Sequence, residues 1–224
     1  RHYVTEPGSF NDSVRLTYTG SQVTDARYNS SYKTFQYSGD RPVRITDYSN
    51  AGTMIQYYQF SYNSDGTLSS IESFQQVGAS VAKVKLVNYT YTSGKLTKIA
   101  SHQVSGGVVN PNAQEYAITW TGNNATQLVY TDNLFGYPPE TITLSYDNQP
   151  NYLKPVGDYF WMYDASAATY LDETMLILYS TANNIIQISN SGFSVTRTYA
   201  VNAGQKLTGI TWGNITETFV YECK

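Results

Sequence analysis

Apolar and polar residues alternate over short runs along this chain. Val14, Leu16 and Tyr18 point one way while Arg15, Thr17 and Thr19 point the other, and Ile142, Leu144 and Tyr146 oppose Thr141, Thr143 and Ser145. This period of two marks a strand with one dry and one wet face. Each run ends in an aromatic residue, a small polar turn follows, and a Leu/Val-to-Ile spacing restarts the pattern. The clearest copies are Tyr58-x-Phe60-x-Tyr62 with Gly66-x-Leu68-x-x-Ile71, and Tyr89-x-Tyr91 with Gly94-x-Leu96-x-x-Ile99. Weaker copies run Phe35-x-Tyr37 with Gly39, Ile118-x-Trp120 with Gly122, and Tyr199-x-Val201 with Gly204-x-x-Leu207-x-x-Ile210. The turns, such as Ser38-Gly39-Asp40, Ser64-Asp65-Gly66 and Gly122-Asn123-Asn124, use residues that tolerate the positive φ of tight hairpins.

Tyr18, Tyr37, Tyr62, Tyr91, Trp120 and Tyr146 close successive runs, a unit of roughly 26 residues, which is two strands with their connections. The spacing from Leu68 to Ile71 and from Leu96 to Ile99 would put both residues of each pair on opposite faces of a regular strand. It therefore predicts a bulge soon after each of these turns. The predicted fold is a single all-β domain over residues 1–224, a large antiparallel hairpin array curled into a barrel or half-barrel. One irregular or short-helical insertion is expected at about 147–178. There Asp147-Asn148-Gln149-Pro150-Asn151 and Pro155 argue against a central strand. Asp164 is placed to cap a short helix from Ala165 to about Asp172.

Composition narrows the function. Charged residues make up 14% of the chain against roughly 25% in ordinary domains, so Thr, Ser, Asn and the 22 tyrosines must supply the wet surface. A net charge of −3 argues against a phosphate-driven nucleic-acid partner. The single cysteine, Cys223, has no partner for an internal disulfide. The longest apolar stretch, near Met175–Tyr179, is too short for a membrane helix. The start at Arg1 is read as a processed or trimmed one.

The repeat resembles the tyrosine–aspartate repeat of large bacterial shell proteins, whose unit also runs tyrosine, turn, glycine, leucine, isoleucine. A second group of motifs is Tyr146-Asp147-Asn148 with Asn151 nearby, then Ser180-Thr-Ala-Asn-Asn184 before Ile185. With these the chain is similar to a family of small Bacteroidetes lipoproteins of unknown function with a porin-like fold. The resemblance runs from about Leu16 onward. It implies a broad barrel-like antiparallel sheet and an exported lipoprotein of a Gram-negative envelope, facing the periplasm or the cell surface. It brings no activity and no functional residues.

The residues themselves offer little chemistry. His2 and His102 have no Cys, Asp or Glu at metal-ligand spacing. No Gly-x-Ser-x-Gly elbow and no phosphate-cradling Gly-Lys-Ser/Thr loop is present. No cofactor and no metal are expected. Asp158, Asp164, Asp172 and Glu173 form a carboxylate cluster, which caps and solvated turns account for; Asp47 and Asp65 are read the same way, in or near turns. The expected function is a binding or structural envelope lipoprotein without catalysis. Its partner would be a glycan or an envelope protein, and its membrane contact only a lipid anchor outside this sequence. Two alternatives stand beside it, an outer-membrane β-barrel and a carbohydrate-binding or carbohydrate-active protein. Lys85 and Arg197, which interrupt the dry faces, weigh against the first. Any ligand site is expected in the insertion. Tyr159, Trp161 and Tyr163 share one face if extended, a stacking platform with Asp158 and Asp164 as polar flanks.

Overall fold

Alternation over so many short runs, each bounded by Gly or Asn, produces strands joined by tight turns. The computed structural model describes residues 2–6, 13–153, 175–213 and 215–220. The strands are β1 (His2–Glu6), β2 (Ser13–Thr19), β3 (Gln22–Arg27), β4 (Ser31–Ser38), β5 (Arg41–Ser49), β6 (Met54–Tyr62), β7 (Leu68–Val77) and β8 (Ser80–Thr92). They continue as β9 (Lys95–Ser105), β10 (Val108–Thr121), β11 (Asn124–Asp132), β12 (Tyr137–Pro150), β13 (Asn183–Ser189), β14 (Ser194–Val201), β15 (Leu207–Trp212) and β16 (Ile215–Val220). One short helix, α1 (Met175–Ser180), precedes β13. The helix expected from Ala165 to Asp172, its cap Asp164, and Cys223 all lie outside the described residues.

Contacts group the chain into two compact units. One, the insertion unit, comprises Arg1–Arg15, Ile118–Val129 and Glu140–Lys224; the other, the repeat unit, comprises Leu16–Ala117 and Tyr130–Pro139. In the repeat unit each strand from β3 to β9 pairs antiparallel with the next in the chain, and β10 with β9. In the insertion unit β12 to β16 do the same, and β1 lies between β16 and β2.

The bulges predicted from the Leu-x-x-Ile spacing are present. Tyr62 faces Leu68 while Ser61 faces Ser70, so Ser69 is the extra residue. Thr97 is extra between Leu96, opposite Tyr91, and Lys98, opposite Thr90. Val43 and Thr208 occupy the same place in their hairpins. One added residue returns both apolar residues to the dry face, and Leu68, Ile71, Leu96, Ile99, Leu207 and Ile210 are all buried. Each such side chain contributes about 1.5–3 kcal/mol by leaving water. Of the residues expected on dry faces, Leu16, Phe60, Ile118 and Leu144 are buried, and Tyr18, Tyr62, Tyr91, Trp120 and Ile142 are half-buried.

The closing tyrosines have a specific task. The Tyr62 hydroxyl donates to the Pro42 carbonyl at 2.7 Å, and those of Tyr37 and Tyr199 donate to the Val23 and Ile185 carbonyls at 2.9 Å. Tyr146 donates in the same way to the Ala125 carbonyl. Each acceptor is the buried apolar residue just after the turn of an earlier hairpin. The repeat thus couples a strand's last aromatic ring to the start of the pattern before it.

Two sequence expectations are corrected. The strand does not end at Asp147: β12 continues through Pro150, which faces Asn183 on β13. Pro150 is tolerated because it is the last strand residue and follows a register shift after Tyr146. Asp47 is no turn residue either. It lies within β5 opposite Lys33 and is almost wholly buried, because the alternation of Pro42, Ile45 and the bulge carries it onto the dry face.

Candidate functional site

The two stems of the insertion are held together by side-chain amides. Asn151, at the end of the incoming stem, donates from Nδ2 to the Thr181 carbonyl at 3.0 Å and to Thr181 Oγ1 at 3.2 Å. Its own N–H donates to the Ala182 carbonyl at 2.9 Å, and its Oδ1 accepts the Leu153 N–H at 3.0 Å. Asn184, on the outgoing stem, accepts the Tyr152 N–H at 2.8 Å and donates to Asp147 Oδ2 at 3.1 Å. Asn124, in a neighbouring turn, accepts the N–H groups of Ala182 and Asn183 at 3.1 Å and donates to Asn183 Oδ1 at 2.9 Å. Asn183 closes the set by donating to the Gln149 carbonyl at 2.9 Å.

Amides suit this place because the backbone here is irregular. Buried N–H and C=O groups that no strand satisfies must find a partner elsewhere, and Asn offers a donor and an acceptor on one short stem. Asn151, Thr181 and Asn184 are accordingly buried, as are Leu153 and Ile177. Beneath them Tyr146 keeps its proton: burial pushes its hydroxyl well above the ordinary phenol value, and nearby Tyr199 adds to the effect. It therefore remains a donor to Ala125. This cluster binds backbone and holds a loop root in place. Apart from the Asp147 carboxylate, which accepts from Asn184, its members are neutral amides, a hydroxyl and a protonated phenol.

The sequence-predicted site residues Asp158, Tyr159, Trp161, Tyr163 and Asp164 lie outside the described residues, as do Asp172 and Glu173. What the structure does bring together are the motif residues on either side, Asp147, Asn151, Thr181, Asn183 and Asn184. In the sequence Asn123-Asn124 reads as a turn and Asn183-Asn184 as part of a resemblance motif, with no contact between them foreseen.

A second polar cluster crosses the repeat unit. Lys33, Asp47, Gln56 and Gln75 are successive cross-strand partners on β4, β5, β6 and β7. Lys33 Nζ donates to both Asp47 carboxylate oxygens at 2.8 and 2.9 Å. Gln56 Nε2 donates to Asp47 Oδ2 at 2.8 Å, and Gln75 Nε2 to Gln56 Oε1 at 3.1 Å. The ammonium also lies within 6 Å of the Tyr28 and Tyr58 rings, at 5.7 and 5.9 Å. In the insertion unit Arg197, another charge on a dry face, stacks on Trp212 with its guanidinium carbon 4.9 Å from the ring centre.

The opposite face of the repeat unit is polar. It carries the ion pairs Lys83–Glu72 at 2.8 Å and Lys98–Glu115 at 2.7 Å. It also carries Arg44 over the Tyr57 ring at 3.8 Å, with Tyr57 stacked on Phe74. Lys33, Arg44, Asp47, Glu72, Lys83, Lys98 and Glu115 are thus engaged with one another or with aromatic rings.

No family model and no curated protein matches the chain. Among solved structures, a porin-like protein from Bacteroides uniformis superposes with a TM-score of 0.59 at 12% identity, over 99% of this chain and 96% of that one. A porin-like protein from Bacteroides vulgatus gives 0.58 at 14% identity, over 99% and 97%. Hairpin repeats, post-turn bulges and this likeness agree on one architecture: the chain is an all-β antiparallel array with the fold of these Bacteroides porin-like proteins.

Proposed function

We propose that this chain is a non-catalytic binding module of a Gram-negative cell envelope. In this reading it is exported, held by a lipid anchor outside the sequence, and carries its ligand surface on the insertion. The observation that carries the reading is the asparagine cluster. The buried amides of Asn151 and Asn184 and the half-buried amide of Asn124 converge on both stems of one long aromatic segment, a degree of positioning that a passive connection does not need. Tyr159, Trp161 and Tyr163 on that segment, flanked by Asp158 and Asp164, have the chemistry to stack on a sugar ring. The fold shared with Bacteroides porin-like proteins supports an envelope location. The absence of catalysis is supported by the partners of the charged groups: Asp47, Glu72 and Glu115 each hold a lysine.

The membrane-spanning alternative is less well supported. A lipid-facing sheet needs a continuous apolar band on one side. Here one face of the repeat unit is packed within protein, and the other carries Arg44, Glu72, Lys83, Lys98 and Glu115.

A glycan array probed with the detergent-free chain tests the proposal. Binding of at least one glycan class is expected, abolished in Trp161→Ala with the melting temperature unchanged. Absence of binding to any glycan, or full binding by Trp161→Ala, overturns the ligand assignment. Fractionation of cells expressing the full-length gene tests the location, and recovery in the cytoplasm overturns it.

A further inference from the structure

The turns of the repeat unit differ by edge. At one edge of the antiparallel array the β4–β5, β6–β7 and β8–β9 turns contain Asp40 and Arg41, Asp65, and Lys95, the β2–β3 turn has no charge, and none of these turns exposes a large apolar side chain. The β5–β6, β7–β8, β9–β10 and β11–β12 turns, at the other edge, contain no charge, and the one exposed cation beside them, Arg27 at the β3–β4 turn, is paired with Asp25 at 2.9 Å. Residues 48–57, 73–82, 103–114 and 133–139 hold no Asp, Glu, Lys, Arg or His. Every exposed large apolar side chain among this unit's described residues belongs to these segments: Ile55, Val77, Val81, Val108, Phe135 and Tyr137. The most prominent are Val108 at 71%, Phe135 at 66% and Tyr137 at 65% exposure.

These residues lie at one level. Gln59, Glu72, Leu86, His102 and Ala113 are direct neighbours across β6 to β10, and the Asn133 N–H bonds to the Ala113 carbonyl. Each exposed residue lies a few positions beyond this row, in the turn or beside it. The tips are also built to present their side chains. Asp132 Oδ1 accepts the N–H groups of Leu134 and Phe135 at 2.9 and 3.0 Å, and its Oδ2 accepts from Gln114 and Tyr130. Phe135 and Tyr137 are thereby aimed outward as a tilted pair with ring centres 6.2 Å apart. Gly106 and Gly107, both at positive φ, make the tight turn that projects Val108.

We infer that this edge of the repeat unit inserts into the interfacial layer of a lipid bilayer. Successive tips on one edge are two strands apart, about 10 Å. A protein groove complementary to such separated points would have to be deeply corrugated, whereas a fluid lipid layer accommodates each tip independently. The lack of charge matches the acyl boundary, where a carboxylate or ammonium is costly. Aromatic rings with a polar edge, such as Tyr137, are the side chains that settle at the headgroup level. Because no basic residue lies in the four segments, the contact is apolar and needs no anionic lipid. It orients the protein at a membrane without any strand crossing it, a contact separate from any lipid anchor.

The test uses the full chain and vesicles of phosphatidylcholine alone. Wild-type protein is expected to co-sediment, with binding unchanged between about 0.1 and about 0.5 M salt, over which the screening length falls from about 10 Å to about 4 Å. Substituting Val108→Ser, Phe135→Ser and Tyr137→Ser together should lower partitioning at least tenfold at unchanged melting temperature. Phe135→Trp should show blue-shifted emission that brominated lipid quenches. No binding by wild type, equal binding by the triple variant, or binding that requires anionic lipid and vanishes with salt overturns the inference. So does a vesicle-free dimer that the triple variant abolishes, which would assign the edge to a second copy of the chain.

Discussion

Lys33 with Asp47 in the repeat unit and Asn124, Asn151 and Asn184 in the insertion unit are polar groups in dry surroundings, but they solve opposite problems. Around Lys33 the strands are paired, with one register shift just past Asp47, so peptide groups largely satisfy one another and the side chains need only satisfy themselves. They do so as an ion pair extended by two glutamines. Around Asn184 the ladder is interrupted, and the amides serve the backbone: the Tyr152, Ala182 and Asn183 N–H groups all end on asparagine oxygens. A buried charge is useful where the strands already define the geometry, and a buried amide where they do not.

Breaking the charged row should have the larger effect. Asp47→Ala leaves the Lys33 ammonium buried without its carboxylate, and removal of one partner of such a pair costs about 3–5 kcal/mol. The double change Lys33→Met with Asp47→Leu should recover most of that loss, as measured by urea unfolding. A double variant no more stable than Asp47→Ala would show that the row is needed for more than charge balance. Asn184→Ala should cost less, about 1–3 kcal/mol for an orphaned buried donor. Its distinguishing result is local: amide exchange at Tyr152 should accelerate while that of Ile71 and Ile99 stays at wild-type protection. Uniform acceleration would mean that the cluster supports the whole fold and not the stems of the insertion.

The smallest effect is one of pH. Asp132 is held below the usual carboxylate value of 3.8, chiefly by the Gln114 amide and then by the Phe135, Tyr130 and Leu134 donors. A depressed folded-state pKa adds stability that is present above 3.8 and is lost as pH falls through the lower folded value. The Leu134 and Phe135 amide shifts should therefore titrate with a midpoint below 3.8, and Asp132→Asn should remove that transition. A midpoint at or above the usual value would contradict the contacts seen at this turn.

The array was readable because it is written in local terms. Alternation gives the strands, Gly and Asn give the turns, and the Leu68-to-Ile71 spacing gives the bulge as a matter of parity. The buried pair was legible too, had parity been pressed further: Lys33 alternates with Phe35 and Tyr37, which puts it on the dry face and calls for an opposite charge. Nearness to a turn hid Asp47. The amide cluster was harder, since its partners are far apart in the chain, Asn124 from Asn183 and Asn151 from Thr181, and no periodicity links them. Proline misled at position 150 because a strand's last residue can forgo its N–H.

The bond from a closing tyrosine to an earlier post-turn carbonyl has an evolutionary consequence. A repeat of the Tyr37, Tyr62, Tyr146 or Tyr199 kind brings its own phenol, and the carbonyl it bonds belongs to the hairpin before, so a hairpin of this kind copied whole arrives with both halves of the connection. Gene duplication or deletion in steps of one hairpin leaves the junction chemistry unchanged, whereas a loss of one strand would strand a hydroxyl on one side and a carbonyl on the other. Such a chain is free to grow or shrink only in pairs of strands, with each new pair placed by the ring that came before it.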